Sequence, residues 1–160
     1  MGLTAGGATQ DALAASGVAR SAMSATKVMV NADILFTIVG GPIQILNLMS
    51  ECVTANNATA STLQYQSVPT VGSAQTISGA TTTLASVAAG TTVVLSPTAL
   101  TTAPVISLAA AGGAQLGLNV GNKVTVTAGT IKAVIGTGST TGTWKHYISY
   151  IPMAPGVTVT

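Results

Sequence analysis

Charge is what this chain has least of: five Lys and Arg, three Asp and Glu and a single His in 160 residues. Charged residues make up 5% of it, against roughly 25% in an ordinary soluble domain. The five bases, Arg20, Lys27, Lys123, Lys132 and Lys145, are scattered, whereas nucleic-acid binders cluster theirs. A net charge of +2 is too small to steer a polyanion, so nucleic acid is not expected as a partner. Cysteine is nearly missing as well. Cys52 stands alone, which excludes an internal disulfide or a thiolate metal cluster and leaves a small buried hydrophobe. Long apolar runs are absent. The longest comparable stretch, Ile34 to Met49, is broken by Thr37, Gly40, Gly41, Pro42, Gln44 and Asn47, whereas a membrane-spanning helix needs about 20 consecutive apolar residues. No basic start with a compact apolar run precedes Arg20, so no export signal is expected and no membrane partner either.

Groups that hold or move charge are equally scarce. The acids are Asp11, Asp33 and Glu51, and the one His is His146. Paired-carboxylate chemistry would require two of the three acids to converge, and Ser is abundant but never sits in a G-x-S-x-G elbow. One His and one Cys cannot furnish a zinc site. Gly136, Gly138 and Gly142 fall one residue off the dinucleotide fingerprint, with no helix to follow. Gly121-Asn122-Lys123 lacks the upstream glycine of a phosphate loop. Asn57-Ala58-Thr59 is a chance glycosylation match without a secretory signal. The expectation is therefore no enzyme, no cofactor, no metal, and no catalytic or binding residue to name. His146 reads as a packed or rim residue. Trp144, Tyr147 and Tyr150 read as core and interface packing, with a sugar-stacking platform as the alternative.

What is present is apolar, small and β-branched. Hydrophobic residues are 48% while aromatics are 3%, mean hydropathy is +0.61, and Thr is about one residue in six. Thr favours strands because its branched Cβ fits a pleated surface. The length suits one domain, or one domain plus an arm. Residues 1–26 are Gly-, Ala- and Ser-rich without a β-branched run. They read as an arm that orders against a neighbour, or as a disordered terminus, with a short helix conceivable over 11–25. A β domain is expected over 27–160.

Alternation predicts the strands. Ile34, Phe36 and Ile38 should face one way and Leu35, Thr37 and Val39 the other, in a central strand stopped by Gly40-Gly41-Pro42. Ile43 to Val53 follows, with Leu46 and Leu48 on one face and Ile45 and Met49 on the other. A loop over 54–60 leads to alternating residues up to Pro69. Residues 71–90 suggest short strands with long turns, and Val93-Val94-Leu95 and 104–109 carry two more. Val124, Val126 and Ala128, then Ile131, Ala133 and Ile135, read as a hairpin joined at Gly129. In the last strong strand Trp144, His146, Ile148 and Tyr150 share a face, and Pro152 ends it. Seven to nine short strands without a long helix predict an all-β, antiparallel β-sandwich or barrel, jelly-roll-like.

Leu35-Phe36-Thr37-Ile38-Val39-Gly40-Gly41-Pro42-Ile43 resembles the first strand and turn of the head decoration, or capsid cement, proteins of tailed bacteriophages. So does the ending, where a Gly/Thr/Ser stretch leads to Trp144, then Tyr150-Ile151-Pro152 and Gly156. The resemblance spans roughly 27–160. It implies a compact β domain, commonly a homotrimer, made in the host cytoplasm and seated on the outer capsid surface of the virion. Its partner there would be the major capsid protein. No functional residue carries over, because such proteins act through surfaces. Other virion parts (tail-tube, head-fibre or minor capsid protein) and a carbohydrate-binding β-sandwich module are the alternatives. A surface adhesin or pilin is disfavoured by the missing export signal.

Overall fold

The structure, a computed structural model, describes residues 18–95, 99–107, 123–136 and 141–160. Within them the β-branched runs become strands, paired antiparallel throughout. In chain order these are β1 (Arg20–Met23), β2 (Lys27–Val28), β3 (Ile34–Val39), β4 (Ile43–Cys52), β5 (Leu63–Pro69) and β6 (Gln75–Thr76). They continue with β7 (Thr92–Val94), β8 (Val105–Ser107), β9 (Val124–Val126), β10 (Gly129–Ile135), β11 (Thr143–Pro152) and β12 (Thr158–Val159). The first sheet runs β1-β11-β4-β7-β8, with β2 also on β11 and β9 also on β4; the second runs β12-β3-β10-β5-β6. Neither sheet closes on itself, so the fold is a sandwich and not a barrel.

The two longest strands, β4 and β11, form the middle of the first sheet and pair along nearly their whole length. The inward residues of β11 alternate as a two-residue period requires. Trp144, His146, Ile148 and Tyr150 share one face, as expected, and that face is turned to the core, which Phe36, Leu63, Tyr65 and Ile131 of the second sheet also enter.

Two bulges override simple alternation. Between Ser149 and Tyr150 the pairing jumps from Asn47 to Ile45, so Leu46 is the extra residue and the phase of β4 resets. Ile43, Ile45, Leu48, Ser50 and Cys52 consequently point inward, and the expected pairing of Leu46 with Leu48 on one face is corrected. In β3 the partners of Ile131 and Lys132 are Phe36 and Ile34, which leaves Leu35 over. Leu35 and Phe36 are both buried, while Ile34 is 44% exposed. An extra residue in one strand bends it and re-aims its side chains.

The expected hairpin at Gly129 does not form. β9 pairs with β4 in the first sheet and β10 with β3 and β5 in the second. The chain changes sheets at Gly129, whose φ is +150° and whose missing Cβ would collide with Val68 O and Pro69 Cα. A side chain fits neither that backbone nor that gap. Gly40, at φ +90°, plays the same part between β3 and β4, where a Cβ would press on Gly156 O at 2.9 Å.

Residues 71–90 hold the short β6 and otherwise irregular chain. Its hydroxyls stand in for a strand along the edge of β5. Tyr65 N–H donates to Ser78 Oγ and Leu63 N–H to Thr81 Oγ1, both at 2.9 Å, while Ile77 and Thr81 N–H return bonds to Tyr65 and Leu63 carbonyls. This satisfies an edge that would otherwise offer a template to another chain. At the other end, Arg20–Met23 is a strand on β11, where a helical turn had been conceivable. Residues 1–17 lie outside the described residues.

Candidate functional site

The sequence names no catalytic or ligand-binding residue, so the search begins with its few reactive side chains. His146 is 2% exposed. Its Nδ1 lies 2.6 Å from Ser50 Oγ, which lies 2.8 Å from Tyr65 Oη. Tyr65 comes from the second sheet and the other two from the first, so the chain of bonds is a polar strut through the core. The His146 pKa is lowered to about 4, mainly by burial, with Lys27 adding to the lowering and Asp33 partly offsetting it. Burial likewise raises the Tyr65 phenol well above its usual range. The Ser–His distance is that of a nucleophile and its base. Here, however, both groups are enclosed by packed side chains and Ser50 already serves Tyr65.

The remaining candidates disperse. Asp33 pairs with Lys27 at 3.1 Å, and Glu51 accepts a 2.8 Å bond from Tyr147 Oη. Among the described residues no three His, Cys, Asp or Glu side chains gather as a metal site would require. Asp11, Gly121, Asn122 and Gly138 fall outside the described residues. Cys52 is buried and free, its thiol pKa raised by burial. Asn57 Oδ1 accepts from Thr59 N–H in a local turn. Gly142 belongs to packing: a Cβ there would strike Asn56 Oδ1, which receives the Trp144 indole N–H at 2.9 Å. Trp144 and Tyr150 face the core while Tyr147 faces out, so the three aromatics do not form one platform.

The outer face of the first sheet is different. Its registers place Met23 opposite Tyr147, Tyr147 opposite Met49, Met49 opposite Val94, and Val94 opposite Val105. Five strands therefore contribute one side chain each to a single apolar row, about 19 Å long at the usual strand spacing. Met23 and Val105 are exposed and Tyr147 and Met49 half-buried, while Val94 between Met49 and Val105 is already buried, at 6% exposure. On one side runs Ser21–Ser149–Asn47, and on the other Lys145–Glu51–Thr92. Tyr147 anchors the charged pair, since Glu51 accepts its hydroxyl and Lys145 Nζ sits 5.7 Å from its ring centroid. That bond to Glu51 is the main cause raising the Tyr147 pKa. The face is suited to covering by another surface, because one rim is hydroxyl and amide and the two charges of the other rim both lie against Tyr147.

Sequence reasoning missed this row. Its members are distant in the chain, and only the register of β1, β11, β4, β7 and β8 aligns them. Comparison with protein-family models, curated proteins and solved structures returns no match to this chain.

Proposed function

We propose that this protein is a structural subunit of a virion, a capsid decoration or cement protein that binds the outer surface of a phage head and stabilises it by contacts with several subunits. The observation that carries the reading is the apolar stretch Met23–Tyr147–Met49 on the outer face of the first sheet, continued by register through the already buried Val94 to the exposed Val105. A protein that works by being covered must lose apolar surface to water without stranding ions. Burying a charge costs several kcal/mol unless it is well paired, and this face carries its acid, Glu51, on the Tyr147 hydroxyl. The strands of the first sheet present roughly 550 Å² of projected face at standard strand spacings. Covering all of it on a flat partner would bury at most about 1,100 Å² in total, of the order of the roughly 1,000 Å² of a specific interface. The resemblance of residues 35–43 and 144–156 to the cement family supplies the identity of the partner, the major capsid protein.

Light scattering of the purified chain, alone and with isolated phage heads from its source, tests the proposal. A small discrete oligomer, with a trimer expected, that binds heads and raises their resistance to heat is the expected result. Rings or tubes without heads assign it to a tail tube instead. A monomer that ignores heads overturns the assembly reading.

A further inference from the structure

The side of the sandwich next to β11 is closed by a short strap, residues 20–28. Its two strands, β1 and β2, pair with β11 alone. Between them Ser24 clasps the backbone of His146. Ser24 N–H donates to His146 O at 2.9 Å, and Ser24 Oγ accepts the His146 N–H at 3.1 Å. Each end of the strap carries a cation that reaches over to the second sheet. Arg20 Nη1 donates to Val157 O at 3.1 Å, just ahead of β12. Lys27 Nζ pairs with Asp33 Oδ2 at 3.1 Å and donates to Ile34 O at 2.8 Å, where β3 begins. The strap thus stitches the edge of one sheet to the edge of the other.

Few apolar contacts hold it. Every residue from Arg20 to Val28 is exposed or half-buried, and the first buried side chain is Met29. Beyond Met29 the chain is fastened to the body again. Ile135 N–H donates to Asn31 Oδ1 at 3.0 Å and Ala32 N–H to Ala133 O at 2.9 Å. Ala32 itself is left-handed, at φ +63°, a conformation that costs a residue with a Cβ. Strap and body therefore meet at residues 29–32, and local opening favours an edge element with so little buried apolar surface.

The imidazole of His146 lies between the sheets, on the strand that the strap clasps. Its surroundings offer little to hold the charge of a proton. β4 presents the Ser50 hydroxyl, with Cys52 opposite Trp144, and β5 presents the Tyr65 phenol. The buried side chains of β3 and β10 are apolar, while Glu51, Lys145 and Tyr147 belong to the outer face. The charges that act on the imidazole are Lys27 and Asp33, which are already paired with each other. A proton on His146 adds a second cation near Lys27, with one carboxylate to share between them. Enclosed charge is costly unless it is paired or hydrated. Peeling back the strap moves Lys27 away and admits water at the side of the sandwich. We propose that residues 20–28 form an acid-released strap: protonation of His146 undocks β1 and β2 from β11 while the remaining strands stay paired. Undocking bares the edge of β11, a row of N–H and C=O groups open to another strand. Such a strap works whether or not the protein sits on a phage head.

Hydrogen exchange of the full chain, read by mass spectrometry at about pH 7 and about pH 5 and corrected for intrinsic rates, tests it. Opening returns the imidazole from about 4 to its ordinary 6.5, which raises the opening constant of the strap roughly twentyfold between those two conditions. Amides of residues 20–28 should therefore exchange faster than those of β4, β5 and β10 at both, and should gain that factor at the lower pH. His146→Gln should abolish the gain. Ser21→Cys with Ser149→Cys, opposite each other in register, should abolish it once oxidised, and this locked chain keeps the test open if the glutamine variant fails to fold. Strap amides with the same protection at both pH values overturn the proposal. So do strap amides as strongly protected as the core and moving with it, since His146 then governs global unfolding alone. A folded variant of either kind that still gains the full factor overturns it too.

Discussion

His146 shows what one titratable side chain does when a core encloses it. Its folded pKa is about 4, against about 6.5 when unfolded. Between those values the unfolded chain binds the extra proton and the folded chain refuses it, so stability rises with pH. The stabilisation is complete above about pH 6.5 and is lost as pH falls towards 4, where the shift corresponds to about 3 kcal/mol. Urea midpoints across that window should fall for the wild type, and His146→Gln should flatten the slope. A wild-type midpoint that stays level from pH 6.5 to 4 sinks this account. Ser50 bonds the imidazole, Tyr65 follows one bond further on, and the charges of Lys27 and Asp33 act on it, which places the sensor between the sheets, where loss of the strut loosens both. Alternation put His146 on one face with Trp144, Ile148 and Tyr150, and the structure turns that face inward, whereas nothing local in the sequence marks Ser50 as the partner of the imidazole.

At the scale of the element, the connections that change sheets carry the most specific demands. Gly129 combines a left-handed backbone with a gap that a Cβ would fill against Val68 and Pro69. Gly129→Ala should cost about 2–3 kcal/mol, since strained φ alone costs of order 1–3 kcal/mol and the contact adds to it. Chemical unfolding would read it, and a loss below about half a kcal/mol would show that the crossing relaxes freely. The local signal here was ambiguous. Two alternating runs flanking one glycine look the same whether the glycine turns a hairpin or passes the chain between layers. Only the partners decide, β4 for one run and β3 and β5 for the other.

For the whole molecule, the shortage of charge becomes a statement about how association behaves. A contact made by the apolar row should persist when salt is raised, because screening acts on ions and few are present. Head binding, or self-association if that face serves it, should change less than about threefold between roughly 0.05 and 0.5 M salt. Met49→Lys, in a half-buried position at the centre of the row, should abolish head binding with the thermal midpoint nearly unmoved. Binding that survives this variant would take the row out of the assembly.

The sequence by itself determined the class of the protein. An all-β chain, the positions of β3, β4, β5, β10 and β11, the inward set Trp144, His146, Ile148 and Tyr150, and a surface poor in ions all follow from short-range alternation and composition. These are local properties, legible because side-chain direction in a strand depends only on its neighbours in the chain. Tertiary structure decided the rest. It set the phase of β4 beyond Leu46 and of β3 at Leu35, the sheet to which β9 belongs, and the use of Ser78 and Thr81 hydroxyls along β5. It also made the row across five strands. Each depends on which distant segment lies alongside, and register between strands is a long-range quantity that no window of sequence contains.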